Sequence, residues 1–535
     1  MSDFKMSVLP LELTGSFEKT IISYINGQTS LKKLYDFEPD LEGFRQRIAA
    51  GVSPILDRPL LVSILKDQYA PLNLRNDFPA MINVEALLES NTFCVTTGHQ
   101  LNIFSGPLYV LYKLITTINL AEKLKQEFPD NNFVPVYWMA TEDHDIDEIN
   151  HVSLFSKEIV YETSYQGKSG ELKLDEFDVV IKSVIEILGD SVFAKEIIKT
   201  LKDAYSSSTD LADATRKWTN SLLGKYGLVI LDADEPLLKQ KFSSVIEKEL
   251  KEQFTFPLVN KAAELLSSDF TVQVNPREIN LFYIHNSTRN RIVKNDISFQ
   301  VLNTDLTFSE DEILHELKSH PEKFSPNVLL RPIYQETILP NLAYVGGPSE
   351  ITYWLELKFV FNELNLNMPV LMLRNCALVA DSTTISKWTK LGFKSVDLFR
   401  PESELIRAYV ESKNTGQFSL VESSAKVSEI FDKISLEISS LDQSLKATAE
   451  SEKQKALNSL KLIEDKVIRS LKRKEETEVN QIIKIREKFF PNESLQERKE
   501  TLLPFYLKWG NEFIELIKNS FDPFDKNFVL LEEKL

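Results

Sequence analysis

Between residues 96 and 107 the chain reads Thr96-Thr97-Gly98-His99-Gln100-Leu101-Asn102-Ile103-Phe104-Ser105-Gly106-Pro107. A short β-branched and aromatic run, Thr92 to Thr97, leads into it, and Leu108-Tyr109-Val110-Leu111-Tyr112-Lys113-Leu114 follows. Proline suits the first position of a helix, so the passage is expected to be a strand that turns into a helix. The arrangement returns at Ala343-Tyr344-Val345-Gly346-Gly347-Pro348-Ser349-Glu350, where Leu342 to Val345 is the apolar run. Glycine is scarce, 16 of 535 residues, against a usual share of about 7%. The glycines of these two corners therefore mark places where a side chain would be in the way.

Three more short apolar runs, Phe133 to Met139, Leu228 to Leu231 and Val370 to Leu373, alternate with helical patterns. This order predicts an α/β core, a parallel sheet covered on both faces with its chemistry at the C-terminal ends of the strands. Two connections, 151–225 and 236–325, are too long for simple crossovers and read as inserted subdomains. The first is expected to be mostly helical after residue 178. The second is expected to hold a helix over 243–266 and then a few strands between Val272-Gln273-Val274 and Arg289-Asn290-Arg291. The core is thus divided into 1–150, 226–235 and 326–420.

From about residue 421 the composition shifts to Lys, Glu, Ser and Leu. Val427, Phe431, Ile434, Ile438, Leu441 and Leu445 follow the 4-3 spacing of a coiled-coil seam. After a polar interruption from Thr448 to Lys455, a second apolar series runs through Leu457, Leu460, Ile463, Val467, Leu471, Val479, Ile482 and Ile485. Residues 421–490 read as an antiparallel hairpin, offering a flank to a second subunit or packed as one helical subdomain. The tail, 491–535, with Trp509, Phe513 and Ile517, is expected to fold back on the body.

Acidic side chains outnumber basic ones, 79 to 62, for a net charge of −17. Such a chain repels a phosphate backbone, which argues against nucleic acid as a partner. Cys94 and Cys376 are the only cysteines, a usage that fits a reducing compartment. Cys94 reads as core and Cys376 as a weak nucleophile candidate. No run approaches the roughly 20 apolar residues of a membrane span, and Met1-Ser2-Asp3-Phe4-Lys5 lacks the basic start and apolar stretch of a signal peptide, so a cytoplasmic protein with no membrane partner is expected. Gly167-Lys168-Ser169 lacks the upstream glycine of a P-loop, and no Gly-x-Gly-x-x-Gly occurs; a P-loop kinase and an ordinary dehydrogenase are disfavoured.

Several residues could carry chemistry. Gly98-His99-Gln100 opens a turn whose amides, with the following helix's positive end, can hold an anion; Ser105-Gly106-Pro107 continues the cradle, with Lys113 two turns on. Glu142, Asp143, His144, Asp145, Asp147 and Glu148 crowd one strand end. Acids also favour the first turn of a helix for its dipole, where His144 and Glu148 would share a face. With His151 these residues could take a divalent metal, although the spacing is not His-Glu-x-x-His. No metal is firmly predicted. Arg331 supplies a guanidinium suited to a carboxylate or phosphate. Gly346, Gly347, Ser349 and Glu350 present a second helix start, with Tyr353, Trp354 and Glu356 in the next turns.

As a set, Thr97-Gly98-His99-Gln100, Ser105-Gly106-Pro107-Leu108-Tyr109, Lys113, Trp138, Glu142-Asp143-His144-Asp145, Glu148, Arg331-Pro332, Gly346-Gly347-Pro348-Ser349-Glu350 and Leu495-Gln496-Glu497-Arg498 resemble the bacillithiol-biosynthesis cysteine-adding enzymes over nearly the whole chain. The resemblance implies a Rossmann-like core with two connecting-peptide insertions, distantly similar to class I aminoacyl-tRNA synthetases, and a coiled coil that mediates homodimerisation. It implies the joining of L-cysteine to the amino group of glucosaminyl malate. The Gly98-His99-Gln100 turn would stand in for the synthetase histidine signature, while the Lys-rich second signature has no clear match.

Amide formation from a free carboxylate requires activation, as an acyl-adenylate or acyl-phosphate, so ATP or another nucleotide is a plausible cosubstrate. On this reading His99, Gln100, Ser105 and Lys113 cradle phosphate, Asp143, His144 and Glu148 bind the amine or act as base, and Arg331 holds the malate or the cysteine carboxylate. Two rivals are a metal-dependent hydrolase built on His144, Asp147, Glu148 and His151, and a nonenzymatic coiled-coil scaffold.

Overall fold

The structure, a computed structural model, describes residues 3–52, 56–155, 157–413 and 420–534. The chain forms two compact units, one made chiefly of 6–378 with 497–530 and the other of 379–496.

In the first unit the five apolar runs are five strands: β1 Thr92–His99, β2 Asn132–Met139, β3 Val229–Asp232, β4 Asn341–Gly346 and β5 Val370–Leu373. They pair in parallel in the order β5-β4-β1-β2-β3. Residues 92–98 of β1 and 133–139 of β2 are all buried, as strands covered on both faces must be. Phe93, Val95, Leu120, Leu124, Val345 and Val370 share one core cluster. Later strands extend the sheet to one side of β1 through β2 and β3, and to the other through β4 and β5. The order therefore reverses between β1 and β4, and a crevice opens there at the strands' C-terminal ends. Gly98 and Gly346 lie at the C-terminal ends of these two neighbouring strands, so topology alone brings the two glycine corners together. Thr97 Oγ1 donates to the Val345 carbonyl at 2.7 Å across the seam.

Helix α1, Leu108–Glu127, follows β1, α2, Pro236–Glu252, follows β3, α3, Arg331–Ile338, precedes β4, and α4, Pro348–Leu355, follows it. Region 151–225 contains the hairpin His151–Leu154 with Lys157–Val160 and the helices Phe177–Leu188, Val192–Tyr205 and Leu211–Leu223. In 236–325 the single helix expected over 243–266 is two, α2 and Thr255–Ser267, because Gln253 takes a left-handed conformation, φ 49°, and ends the first. An antiparallel sheet follows, built from Leu281–His285, Thr288–Lys294, Phe299–Val301, Thr307–Phe308 and Phe324–Pro326. Helices Leu502–Trp509 and Glu512–Ser520 of the tail also belong to this unit. Asn119 on α1 donates to the Lys518 and Phe521 carbonyls.

The helix start expected after β2 does not form. Residues 141–150 are turns and irregular backbone, and two of their carbonyls serve the neighbouring corner: Ile103 N–H donates to Ile149 O and the Asn102 amide to Glu148 O. His144 and Glu148 consequently do not share a helical face.

The second unit contains Val421–Leu441, Lys446–Lys474 and Glu476–Phe489. The first two run antiparallel, tied by Lys453 and Asp432 at 2.6 Å. The break falls at residues 442–445, where Asp442 accepts from Ser444 N–H, and the stretch Thr448 to Lys455 expected to interrupt the seam is helical. The side chain of Leu471 lies outside the described residues. Among the described residues no helix is long and apolar enough to cross a membrane.

The β1–α1 corner stores the tightest backbone of the site: Phe104, Ser105 and Gly106 all have positive φ, and a Cβ on Gly106 would meet Asn102 Cβ at 2.7 Å. Gly106→Ala is expected to cost about 1–3 kcal/mol in urea unfolding. An unchanged midpoint would contradict the assigned strain.

Candidate active site

The corner of β1 is fixed from behind. Lys113, 1% exposed, extends from α1 and donates to the Gly98 carbonyl and to Glu350 Oε2, the latter at 2.7 Å. Glu350 also accepts from Gly347 N–H at 2.8 Å and from Tyr344 Oη at 2.7 Å. Burial, only partly offset by Glu350, lowers the Lys113 pKa. Burial opposes the Glu350 carboxylate too, but Lys113 and the two donors outweigh it and hold the group at about 2. The pair stays ionised and joins residues 237 positions apart.

Above this clamp lies a cavity of about 550 Å³, lined among the expected residues by Gly98, His99, Gln100, Trp138, Asp143, Arg331 and Glu350. Arg331 sits among aromatic rings, 5.7 Å from the Trp138 centroid, 5.6 Å from Tyr344 and 6.0 Å from Trp354. Its Nη1 donates to the neutral Gln335 side chain at 3.1 Å. Its Nη2 is buried and has no hydrogen-bond partner among the described residues, and the same holds for His99 Nε2. A buried donor that the fold leaves unpaired is costly. His99 packs edge-on against Tyr109 at 5.3 Å. Burial first, and then Lys113, lower its pKa to about 3, so the imidazole is neutral at physiological pH.

The acidic loop meets this corner through Gln100, whose amide nitrogen donates to Asp143 Oδ2 and Glu148 Oε2, both at 2.7 Å. Asp143 Oδ1 accepts from His144 N–H. His144 does not line the cavity. Its ring lies 5.8 Å from Phe282, and its Nδ1 is 3.4 Å from Arg289 Nη1. A guanidinium can only donate, so Nδ1 accepts and the proton of the neutral ring sits on Nε2. Burial and Arg289 lower the His144 pKa. Glu142 pairs with Lys239, which also holds Asp234 at 2.9 Å, and Lys168 holds Asp234 at 2.6 Å.

Several expected residues have other duties. Ser105 accepts from Trp218 Nε1 at 2.6 Å, and Lys113 is committed to the clamp, so neither hydroxyl nor ammonium faces the cavity. Gly346 accepts from Arg374 N–H, and Ser349 lines a separate depression of about 110 Å³ with Glu18 and Arg498. His151 Nδ1 lies 3.0 Å from the Asp147 carbonyl, and among the described residues no three His, Cys, Asp or Glu side chains are placed to hold a metal. The four-residue metal cluster is corrected accordingly: without a helix at 141–150, no shared face gathers it. Both cysteines are buried, and burial pushes the Cys376 thiol well up, which removes it as a nucleophile.

Sequence reasoning gave no role to the side chains that the second insertion sends into the cavity, notably Arg277, Phe282, Arg289 and Arg291. Arg289 and Arg291 lie two apart on one strand and so on one face. That spacing was the available signal.

The family described as bacillithiol biosynthesis BshC, N-terminal Rossmann-like domain, matches residues 5–375, and its C-terminal coiled-coil domain matches residues 377–533. The chain belongs to the BshC family. Relatives bearing the name "Putative cysteine ligase BshC" include a Flavobacterium johnsoniae protein, 39% identical over 97% of this chain and 98% of its own length, and a Cytophaga hutchinsonii protein, 39% identical over 98% of each. The crystal structure of a "putative arginyl tRNA synthetase" from Campylobacter jejuni aligns at 10% identity, covering 84% of this chain and 98% of its own, with a TM-score of 0.24, too low to carry an argument. Every described residue lining the cavity lies in the Rossmann-like domain of this BshC chain.

Removing one partner of the buried pair leaves the other charge uncompensated. Lys113→Met is expected to destabilise the protein by about 3–5 kcal/mol in urea unfolding. Because the folded Glu350 pKa lies below its ordinary value of 4.5, its stabilisation is full above that pH and fades as pH falls towards about 2. The advantage of wild type over Glu350→Gln is expected to shrink across that window, and a pH-independent difference would contradict the ionised pair.

Proposed function

We propose that this BshC chain is a cysteine ligase that joins the carboxyl of L-cysteine to the amino group of glucosaminyl malate, the reading its family and its cavity support together. The observation that carries it is a buried guanidinium with a free donor, Arg331 Nη2, in the same cavity as the carboxylate of Asp143. Arg331 holds a substrate carboxylate, and Asp143 holds the attacking amine and receives its proton. In the acyl-transfer step the amine nitrogen forms the C–N bond, the C–O bond to the leaving phosphate oxygen breaks, and the amine proton passes to Asp143.

Among the three candidates for the base, the hydrogen bonds favour Asp143. His144 has its Nδ1 lone pair turned to Arg289, which makes its Nε2 a donor, and Glu148 accepts from Gln100 outside the cavity lining. Both therefore act on Asp143 and Gln100 as positioning groups. A nucleotide would supply the activation, and neutral His99 with the amides of the Gly98 turn suits its phosphate oxygens. Ser105 and Lys113 act beneath that turn rather than on the phosphate.

The test is mass spectrometry of thiol products after incubation with cysteine, glucosaminyl malate and separate nucleotides. Asp143→Asn is expected to lower kcat about 10²- to 10⁴-fold, and Glu148→Gln far less. Turnover of folded Asp143→Asn within a few-fold of wild type would remove Asp143 as the base.

A homodimer through the coiled coil is part of this proposal. Leu436, 73% exposed, and Ile430, Leu441 and Leu462, also exposed, form apolar surface on the antiparallel pair. Leu436→Glu with Ile430→Glu is expected to shift sedimentation from dimer to monomer; a wild-type monomer at micromolar concentration would rule the dimer out.

A further inference from the structure

The cavity walls carry formal charges of both signs, and their pairing is uneven. Each lining acid already faces a cation: Glu142 and Asp234 meet Lys239, Glu350 meets Lys113, and Asp143 lies 4.0 Å from Arg289. Arg289 is further engaged by Ser325 Oγ and the Pro326 carbonyl. The guanidiniums of Arg277, Arg291 and Arg331 are different. None has an ion pair among the described residues, and those of Arg277 and Arg291 have no side-chain hydrogen bond there either. Three guanidiniums without an ion pair among the described residues thus line one cavity of a chain whose net charge is −17. Such a concentration of charge against the overall sign raises the local concentration of small anions.

Arg277 and Arg291 come from the second insertion, whereas Arg331 opens α3 of the core. Both line the same cavity, and two planar donor forks match two carboxylates on one ligand. We propose that Arg277 and Arg291 form a dicarboxylate subsite that selects the acceptor by its malyl group, leaving Arg331 for the carboxyl of cysteine. The inference rests on the ligase reading for the identity of the acceptor, but the subsite is defined by its charge chemistry. It also divides the labour between core and insertion, since the core carries the reacting centre and the inserted sheet reads the anionic end of the acceptor. Neither guanidinium supports the fold through a side-chain polar contact among the described residues, so glutamine at either position preserves the backbone and removes the charge and its donor fork.

The experiment is calorimetric titration of the full-length wild type, Arg277→Gln, Arg291→Gln and the double variant, with glucosaminyl malate and with methyl glucosaminide, which has no carboxylate. Each single change is expected to weaken glucosaminyl malate about 10- to 100-fold, with methyl glucosaminide affinity equal in all four proteins and circular dichroism unchanged. Equal affinity of wild type and double variant for glucosaminyl malate overturns the subsite, as does no binding by wild type or an equal loss for both ligands. Product formation by wild type is measured in parallel. Arginine-dependent binding without cysteinyl product removes the ligase reading and keeps the subsite; product formation unaffected by the double change does the reverse.

Discussion

One buried ammonium organises this site. Lys113 is taken out of water by the sheet and its covering helices, and its charge is tolerable only because a carbonyl and a carboxylate are brought to it. The carbonyl belongs to Gly98 and the carboxylate to Glu350, so satisfying the charge forces the two glycine corners into one place. Glu350 in turn orders the Gly347 amide and the Tyr344 hydroxyl. Tyr344 is also one of the rings around Arg331. The floor of the cavity thus follows from a clamp that ties the Gly98 corner to Glu350 of the second corner.

The remaining walls divide by origin. Core strands contribute glycine, histidine and an aromatic setting for one guanidinium, groups whose positions the parallel register fixes. The acidic loop after β2 contributes Asp143, held by Gln100 and by its own neighbour's amide. The inserted antiparallel sheet contributes Arg289 and Arg291 from alternate positions of a single strand. The core supplies the floor of the cavity, and the insertion adds charged side chains to its wall.

The absence of a helix at 141–150 has the same logic. Two of the loop's carbonyls, those of Glu148 and Ile149, accept from Asn102 and Ile103 of the neighbouring corner. The loop is therefore locked to the glycine turn instead of standing free, and the carboxylates point to different partners instead of converging on a cation.

Local pattern carried a large part of this architecture. Five short apolar runs, two proline-led helices after glycine corners and a 4-3 series were visible because periodicity and turn chemistry are properties of neighbouring residues. The family's motifs added the likeness of the corners at Gly98 and Gly346. Pairings between distant residues left no such trace: nothing near Lys113 announces Glu350, and nothing near Ser105 announces Trp218. Whether a polar side chain faces a ligand or satisfies another buried group depends on which segments the topology sets beside it. That is a property of the folded chain, because the energy of an isolated buried charge depends on contacts made across hundreds of residues.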